Sequence, residues 1–229
     1  MAKLLLVRHG QASFGADDYD ALSDRGHEQA RVLGRSFAAR GIRPGLVLRG
    51  TMRRHEETAA GTGIAVETRV DPGWDEFDFQ HVVEVHRPAF RDRAAMMAEL
   101  NGHDRPDRAF QEIFEEATGR WCSGTSDLEY AESFPAFRDR VAGALERAGK
   151  LLREHREIVV FSSGGPIAMA AALLTCGDDR DVTAVWTALN RVAVNTGVTK
   201  LIGGRRGLSM SVYNEHPHLE AEPGLLTYR

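Results

Sequence analysis

The run Leu4-Leu5-Leu6-Val7-Arg8-His9-Gly10 breaks from apolar residues into a cation, an imidazole and a glycine. If the apolar part is a buried strand, these three residues fall at its carboxyl end, where open α/β sheets bind ligands. A neutral imidazole is a competent nucleophile toward phosphorus, and a guanidinium beside it can bind the equatorial oxygens of a phosphoryl group. Glycine at position 10 permits a tight turn or a close ligand approach. Taken alone, Arg8 and His9 also read as two solvated residues closing a strand.

The elements that position them follow from hydrophobic patterning. Residues 3–7 have the continuous apolar character of a strand buried on both faces of a parallel sheet. Residues 46–48 and 158–161 repeat it. Weaker strand signals occur at 192–194 with 198–202, and at 208–213. Between them lie helical spacings: Ala30, Leu33 and Phe37 share one face of 26–39, and Phe137, Val141, Ala144, Leu145 and Ala148 recur along 137–152. Residues 165–174 form a small-residue apolar helix. Strand and helix alternate, which predicts an α/β fold: a doubly wound, mainly parallel sheet flanked by helices. From about 77 to 131 the pattern changes to charged amphipathic helices, near 87–100 and 107–118, without buried strands. This predicts a single domain over residues 1–229 carrying a helical cap insertion.

The length of 229 residues suits one domain with such an insertion. No apolar run approaches the roughly 18 residues needed to span a bilayer. Residues 4–7 are too short, and too soon followed by Arg8, for a signal-peptide core, so a cytoplasmic location is expected. Cys122 and Cys176 form no CxxC pair and no zinc spacing, which predicts plain buried thiols. A net charge of −4 gives no general attraction to nucleic acid or to a membrane surface. An anionic ligand must then be held by a few local arginines, which favours a small phosphorylated substrate.

Six segments in order carry a resemblance to a known family. Arg8-His9-Gly10 after a strand resembles the opening motif of the histidine phosphatase superfamily, the phosphoglycerate mutase-like proteins. Leu22-Ser23-Asp24-Arg25-Gly26-His27-Glu28-Gln29-Ala30 resembles its L-[ST]-x-x-G-x-x-Q-A helix opening. Met52-Arg53-Arg54-His55-Glu56-Glu57-Thr58-Ala59 resembles its L-x-R-A-x-x-T-A segment. Trp74-Asp75-Glu76 falls where the family has L-x-E. Glu132-Ser133-Phe134 with Phe137-Arg138-Asp139-Arg140-Val141 resembles E-S-[FW] and F-x-x-R-V. Residues 158–167 (IVVFSSGGPI) resemble V-V-x-S-H-G-G-x-I.

The resemblance implies a phosphohistidine at His9, phosphate binding by Arg8 and Arg54, and Glu76 as the acid that protonates the departing oxygen. Arg53 is the rival to Arg54, and the register selects Arg54. Such chemistry needs no metal and no cofactor.

One departure stands out. Where the family carries a second catalytic histidine, this sequence has Ser163, followed by Gly164 and Gly165. Exchanging a charged donor for a neutral hydroxyl costs roughly 2–4 kcal/mol of transition-state stabilisation. Three accounts are open. The hydroxyls of Ser162 or Ser163, with backbone amides at Gly164 and Gly165 opening a helix, suffice for a slower phosphatase. A histidine from elsewhere fills the space. Or the phosphate pocket persists without turnover. The best source of a substitute is the tail, His216 or His218, which also reads as a polar loop. His27, His55, His81 and His86 read as solvated.

The leading expectation is a phosphomonoester hydrolase. A phosphoglycerate mutase is disfavoured: the arginines at 87, 91, 93, 105 and 108 alternate with acids, and Gly15 stands near the place of the family's usual asparagine. A phospho-ligand-binding module is the non-enzymatic alternative that Ser163 sustains. The sequence is silent on oligomeric state.

Overall fold

A computed structural model describes residues 2–13, 20–176 and 181–228; Gly15 lies outside them. In chain order the elements are β1 (Ala2–Arg8), α1 (Asp24–Ala39), β2 (Leu46–Arg49), α2 (Arg53–Gly61), β3 (Thr68–Val70), α3 (Phe79–His86), α4 (Arg93–Asn101), α5 (Pro106–Cys122), α6 (Phe134–Leu151), β4 (Glu157–Ser162), α7 (Gly164–Thr175), α8 (Val182–Arg191), β5 (Val198–Gly204), β6 (Gly207–Glu215) and α9 (Pro217–Glu220). Among the described residues the strands form one sheet in the order β3-β2-β4-β1-β5-β6.

β1 sits inside this mixed sheet. It pairs in parallel with β4, Arg8 opposite Ser162, and antiparallel with β5. Its alternate residues serve opposite faces. Leu5 and Val7 join Leu33 and Phe37 of α1 in one core cluster with Val47, Val159 and Phe161. Leu4 and Leu6 point the other way and are also fully buried. Both faces are therefore covered, as the continuous apolar run requires.

The chain divides into two compact units, Met1–Glu76 with Arg140–Arg229, and Phe77–Asp139. The first holds the sheet. The second is helical, organised on an aromatic cluster in which Phe77 stacks on Trp121 with ring centroids 4.7 Å apart. Phe134 meets the same indole edge-on at 5.1 Å, and the Trp121 indole N–H donates to the Glu132 carbonyl at 2.8 Å.

One expectation needs correction, and two elements go unanticipated. Residues 192–194 are not a strand: the Asn214 side chain bonds the Val194 N–H and the Val192 carbonyl, taking the groups a ladder would use. β3 is a strand the apolar pattern did not mark, since all three residues are exposed at the sheet edge. α8 likewise goes unpredicted, although Val182, Val185, Trp186 and Leu189 have helical spacing. No described helix is long and apolar enough to cross a membrane.

Candidate active site

The Arg8-His9-Gly10 turn leaves the end of β1 and lies flush on the first turn of α1. Ser23 caps that helix by accepting the Gly26 N–H at 3.1 Å. A Cβ at Gly10 would collide with the Gly26 carbonyl, and one at Gly26 with the Gln11 carbonyl. Glycine at both positions permits this approach. Buried Gln29 ties the same turn to the C-terminal segment: its Oε1 accepts the Gln11 N–H at 2.7 Å, and its amide donates to Leu225 O and Thr227 Oγ1.

His9 is 7% exposed. Its Nδ1 lies 2.7 Å from the Gly10 carbonyl oxygen, so Nδ1 carries the proton and Nε2 keeps its lone pair. Burial, reinforced by the Arg54 and Arg8 guanidinium groups, holds its pKa well below the ordinary value. The ring is therefore neutral near pH 7, the state a nucleophile requires.

α2 supplies the next groups. Its inward side is polar: Arg54, His55 and Thr58 are its buried residues. Thr58 Oγ1 accepts the Gly10 N–H at 3.0 Å and donates to the Arg54 carbonyl at 2.6 Å, fixing α2 to the His9 turn. Arg54 Nη1 pairs with Asp20 Oδ1 at 2.7 Å, so any anion reaching this guanidinium would meet that carboxylate. Arg53 faces outward and pairs with Glu57. Arg8 donates from Nη1 to the carbonyls of Ala193 and Tyr228, and its Nε lies 3.6 Å from where a Cβ of Gly164 would sit.

β4 ends opposite Arg8, where Ser162 and Ser163 diverge. Ser162 Oγ donates to the Trp74 carbonyl at 2.6 Å and is committed to holding the loop that carries Glu76. Ser163 is fully buried at the N-cap of α7. Glu76 Oε2 accepts the Gly165 N–H at 3.1 Å, on the first turn of α7.

The tail histidines are engaged elsewhere. His216 Nδ1 lies 2.6 Å from the Asn214 carbonyl oxygen. His218 Nε2 lies 3.1 Å from Thr196 Oγ1, and Thr196 donates its N–H to the carbonyls of Arg8 and His9. Through Thr196, His218 supports the backbone beneath the His9 turn.

His55, read from sequence as solvated, is fully buried. Its ring centroid is 5.9 Å from that of His9, and its Nε2 is 2.7 Å from Ser163 Oγ. A signal for it was present: it stands at the alanine of the R-A-x-x-T-A motif, a second departure paired with Ser163. His27 conforms better to the solvated reading, with 41% of its side chain exposed. Cys122 and Cys176 are half-buried rather than buried.

The family model for the histidine phosphatase superfamily (branch 1) matches residues 4–216, and the chain belongs to that family. It is by that membership a histidine-type phosphatase. A comparison with curated proteins gives no match. Among solved structures, a phosphoserine phosphatase from Entamoeba histolytica in complex with phosphoserine is similar at TM-score 0.64 and 16% identity, covering 96% of this chain and 100% of that one. A mycobacterial glucosyl-3-phosphoglycerate phosphatase aligns at TM-score 0.62 and 21% identity, over 94% and 99%. The alpha-ribazole phosphatase from Shigella flexneri aligns at 0.60 and 18%, over 93% and 96%. At these identities the likeness establishes the fold.

Proposed function

We propose that the protein is a phosphomonoester hydrolase acting on a small phosphorylated metabolite through a phosphohistidine at His9. The observation that carries this reading is the buried neutral imidazole of His9, its Nδ1 proton given to Gly10 and its Nε2 free to attack. His9 Nε2 forms the N–P bond as the ester P–O bond breaks, and Glu76 protonates the departing oxygen. Water then attacks phosphorus, with Glu76 now taking its proton, and phosphate leaves His9 regenerated. Arg8 and Arg54 neutralise the equatorial oxygens, with Ser163 and the Gly164 N–H at the start of α7 as further donors. The small-molecule phosphates named for the structural relatives agree with a substrate of that size. A cytoplasmic setting fits a chain with only two cysteines and no CxxC pair.

Activity on p-nitrophenyl phosphate tests the reading. Turnover should persist in EDTA and vanish in His9→Ala. Equal turnover by parent and variant would overturn it. A phospho-ligand-binding module is the second reading, favoured by Ser163 in the second histidine's place. It predicts phosphate binding without turnover on any phosphomonoester.

A further inference from the structure

Ser163 occupies a helix N-cap without capping. A serine there ordinarily accepts from the amide two or three residues on. Here the third residue is Pro166, which has no N–H, and the Gly165 amide is taken by Glu76. The Ser163 hydroxyl turns instead to His55 Nε2, 2.7 Å away and fully buried. On the far side of the ring, His55 Nδ1 is buried without a hydrogen-bond partner and faces Asp75 Oδ1 at 3.9 Å. Asp75 is fixed by Thr51, whose N–H and hydroxyl donate to its two oxygens. Backbone passes through this gap at Gly50, where a Cβ would strike both the Asp75 carboxylate and His55 Nδ1. A carboxylate, an imidazole and a hydroxyl are thus set in line, the imidazole beside the ring of His9.

We propose that His55 is a positioning residue that acts through Ser163, directing the Ser163 hydroxyl and a share of imidazolium charge onto the phosphoryl group transferred to His9. This rests on the hydrolase reading above. In the free protein Nδ1 holds the ring proton toward Asp75, and Ser163 donates to Nε2. When a phosphoryl dianion arrives, one proton is taken up from solvent at Nε2. Nε2–H then donates to Ser163 Oγ, and the Ser163 O–H turns to an equatorial oxygen. No covalent bond is made to either residue.

Burial, then the Arg54 and Arg49 guanidinium groups, hold the His55 pKa well below its ordinary value, so the ring is neutral in the free protein. Asp75, facing Nδ1 at 3.9 Å, and an arriving dianion are the charges that act the other way.

The test compares kcat and KM on p-nitrophenyl phosphate for His55→Ala, Ser163→Ala, their double variant, Ser163→His, and the exchange His55→Ala/Ser163→His. Each single alanine variant should lose about 10²–10³ in kcat, the scale of one preorganised donor, with KM held within about threefold. The double variant should be no worse than either single one, since both interrupt one path. Ser163→His alone should lose turnover, because His55 already fills the space. The exchange, which moves the imidazole across the hydrogen bond, should recover kcat to within about tenfold of the parent. That recovery separates a lost role from a lost fold, and His55→Gln replaces His55→Ala if the latter does not fold.

A parent that forms phosphohistidine while His55→Ala keeps its kcat overturns this inference and leaves the hydrolase reading standing. Losses that add in the double variant overturn it as well. Phosphate recovered on Ser163 would make that residue a nucleophile and contradict both. A parent without turnover contradicts the hydrolase reading first.

Discussion

Glu76 accepts the backbone N–H of Gly165 at 3.1 Å, so the proposed acid is anchored to the helix that begins beside Ser163. The anchor is doubled by Ser162, whose hydroxyl holds the Trp74 carbonyl two residues earlier. An acid held this way should matter in proportion to how badly the leaving oxygen needs a proton. Glu76→Gln should slow alkyl phosphates by about 10²–10⁴ and p-nitrophenyl phosphate far less. Parallel steady-state assays on the two substrate types check this. Equal losses on both would exclude Glu76 as the acid.

On the proposed mechanism the protonation of His9 should set the acid limb of the pH profile, since only a neutral imidazole has a lone pair to attack with. Burial, then Arg54, then Arg8 lower its pKa, so kcat/KM should fall only at pH values below the ordinary histidine range. Removing one cause should raise the pKa. In Arg54→Gln the acid limb should move to higher pH, while burial keeps it below the ordinary histidine value of 6.5. The substrate's own titration is common to both proteins. A limb that stays put or moves to lower pH would contradict the assignment.

Stability should fall on the same side. Burial lowers the pKa of His218 from the ordinary 6.5 to about 4. In the unfolded chain it takes a proton below about 6.5, while the folded protein resists until about 4. Its contribution is therefore intact above pH 6.5 and lost as pH falls toward 4. His218→Gln, which removes the titration, should flatten the decline of Tm across that window. His9 and His55 act with the same sign, so part of the decline should remain. An unchanged slope would mean that His218 is solvated.

Close packing at the His9 turn gives a further expectation. Gly26→Ala places a methyl group against the Gln11 carbonyl. Backbone there cannot yield as a side-chain tip does, so the cost should be about 1–3 kcal/mol. Thermal denaturation should show a lower Tm, and the displaced turn should lower kcat as well. A variant with the parent's Tm and kcat would contradict the contact.

What the sequence disclosed tracks burial of apolar groups. β1 and β4 are buried on both faces, and their unbroken apolar runs marked them. The edge strand β3 buries nothing and exists through its pairing with β2, which no local pattern reports. The site divided in the same way. Motif register singles out His9, Arg54 and Glu76 as candidates, and the structure places His9 and Arg54 on adjoining elements joined by Thr58. His55 escaped because hydrophobic periodicity is blind to a helix face made of Arg54, His55 and Thr58. Polar residues turned inward look the same as polar residues turned outward until a partner is known. The partner here, Ser163, lies 108 positions away.

The most direct test of the account is to catch the phosphoryl group on His9. Rapid mixing with a ³²P-labelled phosphomonoester, quenched in alkali, should give labelled protein whose label survives base and is lost in acid. Peptide mapping should locate it at His9. His9→Ala should carry no label, and Glu76→Gln should carry more than the parent when the water step is slowed more than the first. Label on another residue, or hydrolysis at the parent rate by His9→Ala, would contradict a phosphohistidine at His9.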